Sequence, residues 1–380
     1  MEEKRVENSG NAAVAGRDNG PASAGGDILI GTDGAVGLVT LNRPAALNAL
    51  TTGMRAAIAE AFPRWARDPQ IYAVVIASAS ERAFCAGGDV KETTQWGRSR
   101  KAEAVKSLAA EYALNWLLEC FTKPTVSLID GVVIGSGVGI SLYGTHRVAG
   151  ERYRFAMPET GIGLFPDDGV SWAFARMPDE IGMYLALTGR AIGRADAYRL
   201  GLVTHCIPAA RFGEITAALR AADTVDPLLD DRHQDPGPGE LERMSGAIAH
   251  CFAADTVEGI VERLRAEQGS SATWAVGVLD DLSRRSPTSL KITHRHVRSA
   301  RKLDLRETLR QDFRLGCRCL DGHDFYEGVR ALLIDRDQAP KWQPSRLEDV
   351  SEAMVDAYFA PLGPDELELP SRAEMQAVRT

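Results

Sequence analysis

The sequence predicts an α/β protein whose strands and helices alternate in the first half and whose second half is helical. Short apolar runs such as residues 72–77 and 125–129 precede helical patterns, and this alternation recurs from residue 28 to about 207. After Pro208 no strand pattern returns, and apolar residues recur at helical spacing to about residue 335. The 380 residues suffice for one large domain or a domain with a subdomain.

Composition limits the class of protein. The chain is 44% hydrophobic and 25% charged, and its net charge of −8 argues against a nucleic-acid partner. No apolar run approaches the roughly 18–20 residues of a membrane span, and the charged start MEEKRVENSG is not a secretory signal. The cysteines form no CxxC pair, so we predict no zinc site and a reducing compartment, namely the cytoplasm. They are Cys85, Cys120, Cys206, Cys251, Cys317 and Cys319.

The N-terminal elements follow from turn and capping residues. Residues 1–27 hold almost no large apolar side chain and predict a flexible tail. Residues 27–30 and 37–41 predict two strands around a Thr-Asp-Gly turn, and the proline of Asn42-Arg-Pro-Ala stops the second. Thr51 or Thr52 can then cap a helix that runs to about Arg67. Its buried stripe is expected to be Met54, Ile58, Phe62 and Trp65.

The same unit then repeats along the chain. The remaining strands are expected at residues 72–77, 125–129, 146–149, 154–156 and 203–207. Helices are expected at 101–120, after the glycine cluster near 135–139, and at 181–188, 195–201, 212–222, 239–253, 256–267, 271–284, 288–301, 305–320 and 324–335. Residues 226–239 predict a polar, proline-rich loop. We divide the chain into a tail (1–27), a layered core (28–210) and a helical region (211–380) that covers the sheet or mediates assembly.

Two glycine-rich turns are candidates for binding an anion or a developing oxyanion. Gly135-Ser-Gly-Val-Gly matches neither GxGxxG nor a P-loop. Its backbone N–H groups at a helix start could face a negative charge, although close packing of strand and helix would also explain the glycines. A second turn, Ala86-Gly87-Gly88-Asp89, precedes another helix. Two such turns after apolar strands make an oxyanion hole with two donors plausible.

Glu159 and Asp167 are the candidate reactive acids. They lie in the apolar, glycine-rich segment FAMPETGIGLFPDDG, where desolvation would raise a carboxyl pKa toward working pH. The alternative is that they are solvated loop residues or helix caps. A serine nucleophile is not predicted, because Gly169-Val-Ser-Trp-Ala lacks the last glycine of a GxSxG elbow. The seven histidines show no metal-binding spacing, and each is expected at the surface.

Several motifs together resemble the crotonase (enoyl-CoA hydratase/isomerase) superfamily. They are GLVTLNRPAALNAL (37–50), RAFCAGGDVK (82–91), KPTVSLIDGVVIGSGVG (123–139), FAMPETGIGLFPDDG (155–169) and LALTGRAIGRADAYRLGLV (185–203). The resemblance implies a crotonase-like spiral of ββα units with a helical C-terminal region. Met157-Pro-Glu-Thr, Phe165-Pro-Asp, the segment from Ser286 and the segment Gly322–Asp337 with Lys341-Trp342 are similar to the 3-hydroxyisobutyryl-CoA hydrolase branch.

The resemblance also implies roles for single residues. The backbone amides of the oxyanion hole fall on Gly88 and Ser136, and substrate contacts fall on Glu111, Ser136, Glu159 and Asp167. The hydrolase branch usually has glycine where Ser136 stands. A backbone N–H survives that change, so the hole should persist, but the hydroxymethyl group would either crowd the thioester or add a hydrogen bond.

One expected acid is missing. The resemblance implies that hydratases hold and activate water with two glutamates, of which Glu159 is the second; the first would fall at Gly139. We therefore expect hydration of a double bond to fail. Hydrolysis of a thioester needs only one carboxylate, as nucleophile or as base for water, together with the oxyanion hole. Gly139 is also expected to leave room for a branched or hydroxylated acyl group.

These inferences predict an acyl-CoA thioester hydrolase acting on 3-hydroxyisobutyryl-CoA in valine breakdown. Glu159 would be nucleophile or general base, Asp167 and Glu111 would position the acyl hydroxyl or water, and Asp167 could donate a proton. The alternatives are an enoyl-CoA hydratase/isomerase using Glu159 alone or with Glu111 or Asp167, and a CoA-ester-binding protein without turnover. No metal or redox cofactor is implied, CoA enters with the substrate, and a trimer or hexamer is expected. Arg82 and Lys91 are candidate cations for the CoA phosphates.

Overall fold

The structure is a computed structural model, and it describes residues 26–377. Ten strands are present in this part of the chain. They are β1 (Ile28–Asp33), β2 (Val36–Leu41), β3 (Ala73–Ser78), β4 (Ala83–Cys85), β5 (Thr125–Ile129), β6 (Val132–Ile134), β7 (His146–Ala149), β8 (Arg154–Ala156), β9 (Ile192–Gly193) and β10 (His205–Cys206). The tail predicted for residues 1–27 lies outside the described residues up to residue 25.

The strands form two sheets that the chain visits in turn. The larger sheet has the order β1-β2-β3-β5-β7-β10, and the smaller has the order β4-β6-β8-β9. Only β1–β2 and β8–β9 pair in antiparallel fashion; the other pairs are parallel. Each step from β3 to β4, β5 to β6 and β7 to β8 crosses from the larger to the smaller sheet. Helices return the chain to the larger sheet after β4 and after β6, whereas β9 joins the smaller sheet before the chain returns at β10. The expected spiral of ββα units is confirmed.

The helices occupy most of the remaining chain, and beyond Cys206 the described residues form no strand. They are α1 (Thr52–Arg67), α2 (Val90–Ser99), α3 (Lys101–Glu119), α4 (Ser136–Leu142), α5 (Val170–Phe174), α6 (Ile181–Thr188), α7 (Arg194–Arg199), α8 (Phe212–Arg220), α9 (Val225–Asp230), α10 (Ser245–Phe252), α11 (Val257–Ala266), α12 (Ala272–Ser283), α13 (Pro287–Ala300), α14 (Leu305–Asp321), α15 (Asp324–Val329), α16 (Glu352–Phe359) and α17 (Arg372–Ala377). A π-helical turn, Arg330–Ile334, follows α15. No helix within residues 26–377 is both long and apolar enough to cross a membrane.

Local signals explain α1 well and α9 poorly. The Thr51 side chain caps α1 by accepting a hydrogen bond from the Met54 amide at 3.2 Å, and the predicted apolar stripe is buried. The loop predicted at 226–239 is wrong in its first residues, because α9 forms there. Its buried residues Val225, Leu228 and Leu229 have helical spacing, and Pro227 falls in the first turn, where a missing N–H costs little.

The helical C-terminal region packs on the spiral and holds the segment that carries Glu159. The amide of Ser286 donates to the carbonyl of Thr160 at 3.1 Å, and its hydroxyl donates to the buried Asp324 carboxylate at 2.6 Å. Gly163 has a φ of +73° and approaches the Asp324 backbone so closely that a Cβ atom would lie 2.3 Å from it. The C-terminal motifs of the sequence therefore fix the turn that follows Glu159.

Candidate active site

Glu159 begins a short 3₁₀ turn, Glu159–Ile162, which is separated from β8 by Met157 and Pro158. Its side chain is 6% exposed, and its Oε2 atom bonds to nothing among the described residues. Burial raises the pKa of this carboxyl well above its ordinary value, and Asp167 adds to the rise, whereas its own backbone amide and Arg285 act against it. The expected desolvation of this acid is therefore present, and Glu159 is not a solvated loop residue.

The two glycine turns meet beside this acid. Gly87 adopts a φ of +106°, and the Gly135 that precedes α4 adopts +49°; glycine tolerates both values. The Leu50 amide donates to the Gly87 carbonyl and the Asp89 amide donates to the Leu50 carbonyl, each at 2.8 Å, so the intervening Gly88 amide is not used in this pairing. A Cβ atom on Gly88 would lie 2.9 Å from the Ser136 hydroxyl, and one on Gly135 would lie 3.1 Å from Oε1 of Glu159. The structure thus brings the two turns together, and Gly135, the residue before Ser136, lies against the predicted acid.

The Ser136 side chain turns toward a buried ion pair. Its hydroxyl donates a hydrogen bond to Oε1 of Glu111, and Arg55 contacts the same oxygen at 3.3 Å. Arg55 also donates to the Ser107 hydroxyl at 2.9 Å. Serine at this position therefore bonds to Glu111, and its effect on a bound thioester stays a prediction. Sequence reasoning missed Arg55, although a cation inside the apolar stripe of α1 was a usable signal.

Asp167 and Asp168 lie next to each other near the end of the glycine-rich segment, but their surroundings differ. The Tyr112 hydroxyl donates to Oδ2 of the partly exposed Asp167 at 2.8 Å. Burial, then Glu111 and Asp312, raise the pKa of Asp167 to about 8 despite this hydrogen bond.

Asp168 is 1% exposed, adopts a φ of +56°, and has no hydrogen-bond partner for either carboxyl oxygen among the described residues. Burial and then the charge of Asp167 raise the pKa of Asp168 well above its ordinary value. Sequence reasoning did not select this residue.

The space beside Gly139 is filled by protein. A Cβ atom there would lie 2.5 Å from Nδ2 of Asn115 and 2.9 Å from Oδ1 of Asp168. The expectation that Gly139 leaves room for an acyl group is wrong, because two polar side chains from α3 and from the loop before α5 occupy the adjacent volume. A glutamate at this position could not be accommodated without displacing them.

The prediction that each histidine lies at the surface is wrong for several of them. His296 is completely buried, and its Nε2 lies 2.5 Å from Oδ1 of the equally buried Asp312. The other oxygen of Asp312 accepts the Gly169 amide at 2.7 Å, which links α13 and α14 to the residue after Asp168. His205 and His294 are also buried. The ring nitrogens of a buried histidine are paired with residues distant in sequence, and local sequence does not reveal those partners.

The site offers exposed cations but no metal cluster. Arg82 and Lys91 are both exposed on the two sides of the Gly88 turn, as the predicted contact with CoA phosphates requires. Cys85 lies behind the turn, and burial raises the pKa of its thiol to about 12. Within residues 26–377, no group of three or more His, Cys, Asp or Glu side chains is placed to hold a metal ion.

Comparisons with known proteins point to one family. A model of the enoyl-CoA hydratase/isomerase family matches residues 36–359. The 3-hydroxyisobutyryl-CoA hydrolase, mitochondrial, of Xenopus tropicalis is 41% identical over 90% of this chain and 91% of its own length. Two solved structures have TM-scores of 0.85 over 90% of this chain. They are a carnitinyl-CoA dehydratase of Mycobacterium thermoresistibile, 41% identical over 98% of its length, and an enoyl-CoA hydratase of Rhodobacter sphaeroides, 37% identical over 100%.

The chain belongs to the enoyl-CoA hydratase/isomerase family, an enzyme family with the crotonase fold. The predicted similarity to 3-hydroxyisobutyryl-CoA hydrolases is confirmed by the curated relative. The prediction of a cytoplasmic location is wrong by the same comparison, because that relative is named as a mitochondrial protein. All six cysteines are buried.

Proposed function

We propose that the protein hydrolyses the thioester bond of 3-hydroxyisobutyryl-CoA, a step of valine breakdown. The observation that carries the proposal is one buried carboxyl, Glu159, beside the Gly88 and Ser136 turns, with no acid at position 139. The name of the Xenopus tropicalis relative supports the same substrate. The arrangement supplies one reactive carboxylate and two backbone donors, which is sufficient for acyl transfer to water.

The reaction begins when ionised Glu159 acts on the thioester or on water. As a nucleophile, its oxygen adds to the thioester carbon; as a base, it takes a proton from a water whose oxygen adds instead. The amides of Gly88 and Ser136 stabilise the resulting oxyanion. When the oxyanion collapses, the carbon–sulfur bond breaks and the CoA sulfur takes a proton. The nucleophilic route leaves a mixed anhydride at Glu159, which water then hydrolyses to the free acid.

The other predicted site residues serve this step. Asp167, held by the Tyr112 hydroxyl at 2.8 Å, supplies the proton to the departing sulfur. Glu111 contacts the substrate at the mouth of the hole and fixes the Ser136 side chain. Arg82 and Lys91 bind the CoA phosphates. The proposal uses no metal or redox cofactor, and the trimer or hexamer expected from the resemblance stays a prediction.

The rival proposal is an enoyl-CoA hydratase or isomerase. The two solved relatives are named as a dehydratase and a hydratase, which favours it. Residue 139 argues against it, because a second glutamate is absent there and the neighbouring space is filled by Asn115 and Asp168. A third proposal, CoA-ester binding without turnover, would require the Ser136 hydroxymethyl group to block the hole, whereas its hydroxyl is bonded to Glu111.

A panel of acyl-CoA substrates separates the three proposals. We expect free thiol to appear fastest with 3-hydroxyisobutyryl-CoA, and crotonyl-CoA to keep the absorbance of its double bond. The measurements are thiol release with a colorimetric reagent and ultraviolet absorbance on the same samples. Loss of crotonyl absorbance without thiol release would establish the rival enzyme. Binding by calorimetry with no product from any ester would establish the third proposal.

The pH profile should reflect the two acids. Activity requires ionised Glu159 and protonated Asp167, so it should rise as Glu159 loses its proton and fall above about pH 8, where Asp167 loses its own. The Tyr112 hydrogen bond lowers the pKa of Asp167, so Tyr112→Phe should move the alkaline limb of kcat/KM to higher pH. Tyr198→Phe, at an exposed position, is the matched control. If the alkaline limb of kcat/KM lies at the same pH in Tyr112→Phe as in the wild type, Asp167 is not the proton donor.

A further inference from the structure

A buried cation lies where the two glycine turns meet. Arg55 is 5% exposed, although it belongs to the face of α1 that is otherwise apolar. Its Nη1 atom would lie 3.4 Å from a Cβ atom on Gly88. The same Cβ atom would lie 2.9 Å from the Ser136 hydroxyl and 3.9 Å from Oε1 of Glu111. Burial of a charge is costly unless the charge is paired and hydrogen-bonded, so the partners of Arg55 indicate what it contributes.

The guanidinium of Arg55 joins α1 to two other parts of the chain. Its Nη1 atom contacts Oε1 of Glu111 at 3.3 Å and the Leu50 carbonyl at 3.4 Å. Its Nη2 atom donates to the Ser107 hydroxyl at 2.9 Å. Ser107 and Glu111 are four residues apart on α3, so they share a helix face. The planar fork of arginine fixes the directions of its donors, and it therefore holds this face of α3 against the segment that carries Leu50.

The bond to Leu50 extends the contact to the first glycine turn. The Leu50 amide donates to the Gly87 carbonyl, and the Leu50 carbonyl accepts the Asp89 amide, each at 2.8 Å. These two bonds enclose Gly88, whose amide is the first predicted donor of the oxyanion hole. Arg55 is therefore bonded to the carbonyl oxygen that fixes this turn.

The bond to Glu111 extends the contact to the second glycine turn. The atom of Glu111 that contacts Arg55, Oε1, also accepts the Ser136 hydroxyl. Ser136 is the first residue of α4, and its amide is the second predicted donor. Arg55, Glu111 and the Ser136 side chain thus form one buried chain of bonds that ends at this donor.

We infer that Arg55 is a positioning residue that sets the separation of the two amides of the oxyanion hole. It acts on Gly88 through Leu50, and on Ser136 through Glu111. This inference rests on the proposed function, in which both amides bind the same oxygen. An oxyanion hole is effective only when its donors are already aimed at that oxygen, and a displacement of about 1 Å lowers a rate by up to about 10²-fold.

The first test observes the hole by infrared spectroscopy of bound 3-hydroxyisobutyryl-CoA, isotopically labelled at the thioester carbonyl. Glu159→Gln is the parent protein, because it should leave the ester uncleaved. Hydrogen bonds to a carbonyl oxygen weaken the C=O bond, so the band of the bound ester should lie below that of the free ester. Arg55→Met, which removes the charge and the donors, should move the band back toward the free ester. Arg64→Met, at an exposed position of α1, is the matched control and should leave the band unchanged.

The second test measures turnover in the otherwise wild-type chain. Arg55→Met should lower kcat per binding site roughly 10- to 100-fold, with KM changed far less. The binding sites are counted by calorimetric titration with free CoA, so unfolded protein is not mistaken for lost catalysis. Arg55→Lys keeps the charge but not the planar fork, and should restore part of kcat and part of the band position.

A third comparison tests the route through Glu111. Ser136→Gly keeps the backbone amide but removes the hydroxyl that bonds to Glu111. Arg55→Met should therefore move the carbonyl band less in the Ser136→Gly protein than in the protein with serine. Equal displacements in the two backgrounds would overturn the inference, because Arg55 would then not act through this chain of bonds.

The remaining outcomes separate this inference from the proposed function. A band at the same frequency in the parent, Arg55→Met and Arg55→Lys overturns the inference, and so does a parent band at the frequency of the free ester. If Arg55→Met binds no CoA, the band of Arg55→Lys decides: displacement supports the inference and an unchanged band overturns it. Wild-type protein that releases no thiol from any ester overturns the proposed function instead, while the carbonyl band still decides the role of Arg55.

Discussion

Glu159→Gln is expected to lower CoA release by roughly 10²–10⁴-fold, the usual contribution of a positioned acid–base group. Glutamine has the same shape but cannot lose a proton or attack as a carboxylate. Because Oε2 of Glu159 has no protein partner among the described residues, the exchange breaks no hydrogen bond at that atom and should leave the free energy of unfolding nearly unchanged. The measurement is kcat with saturating 3-hydroxyisobutyryl-CoA, alongside urea denaturation of both proteins.

The control for this experiment is the same exchange at an exposed glutamate of α3, Glu103→Gln, which should retain full activity. Near-normal turnover by a folded Glu159→Gln enzyme would show that Glu159 is neither the nucleophile nor the general base. A loss confined to KM would also contradict the proposal, because it would mean that the residue only binds substrate.

His296→Leu is expected to lower the free energy of unfolding by about 1–3 kcal/mol, the cost of leaving a buried hydrogen-bonding group without its partner. Burial raises the pKa of Asp312, and His296 and the Gly169 amide oppose the rise by bonding to it. Leucine would leave the Asp312 carboxyl with only the Gly169 amide, in a site that is completely buried. The measurement is the midpoint of urea denaturation at an unchanged m-value.

Two further variants test the cause of that loss. His296→Gln keeps an N–H donor on a side chain of similar reach and should lose clearly less stability than His296→Leu. His250→Leu, at an exposed position of α10, should change the free energy of unfolding by less than about 0.5 kcal/mol. Equal losses in the leucine and glutamine variants at position 296 would show that packing against Phe165, and not the bond to Asp312, is what His296 contributes.

Much of the fold could be predicted because its signals are local. The hairpin β1–β2 follows from a Thr-Asp-Gly turn, α1 from a threonine cap and an apolar stripe, and the parallel strands from short apolar runs. Helix α9 was missed because proline and aspartate suggested a loop, whereas three buried apolar residues at helical spacing determine its conformation.

The candidate site was predicted only in part for a related reason. Glu159 could be found because its segment is apolar and glycine-rich. Asp168 was passed over beside Asp167, since adjacent acids on a loop look alike until burial distinguishes them. Arg55, Tyr112 and Asn115 reach the site from helices whose sequence patterns are otherwise ordinary.

The sequence by itself determined the family, the alternation of strands and helices in the first half with a helical second half, the two glycine turns, Glu159 and the absence of an acid at residue 139. Only the tertiary structure decided what fills the space beside Gly139 and which groups surround each carboxyl. The physical reason is sequence distance: Asp312 bonds to the amide of Gly169, 143 residues away, and Ser136 bonds to Glu111, 25 residues away. Periodicity and turn chemistry depend on near neighbours, whereas the charge state of a buried acid depends on groups that only the folded chain brings together.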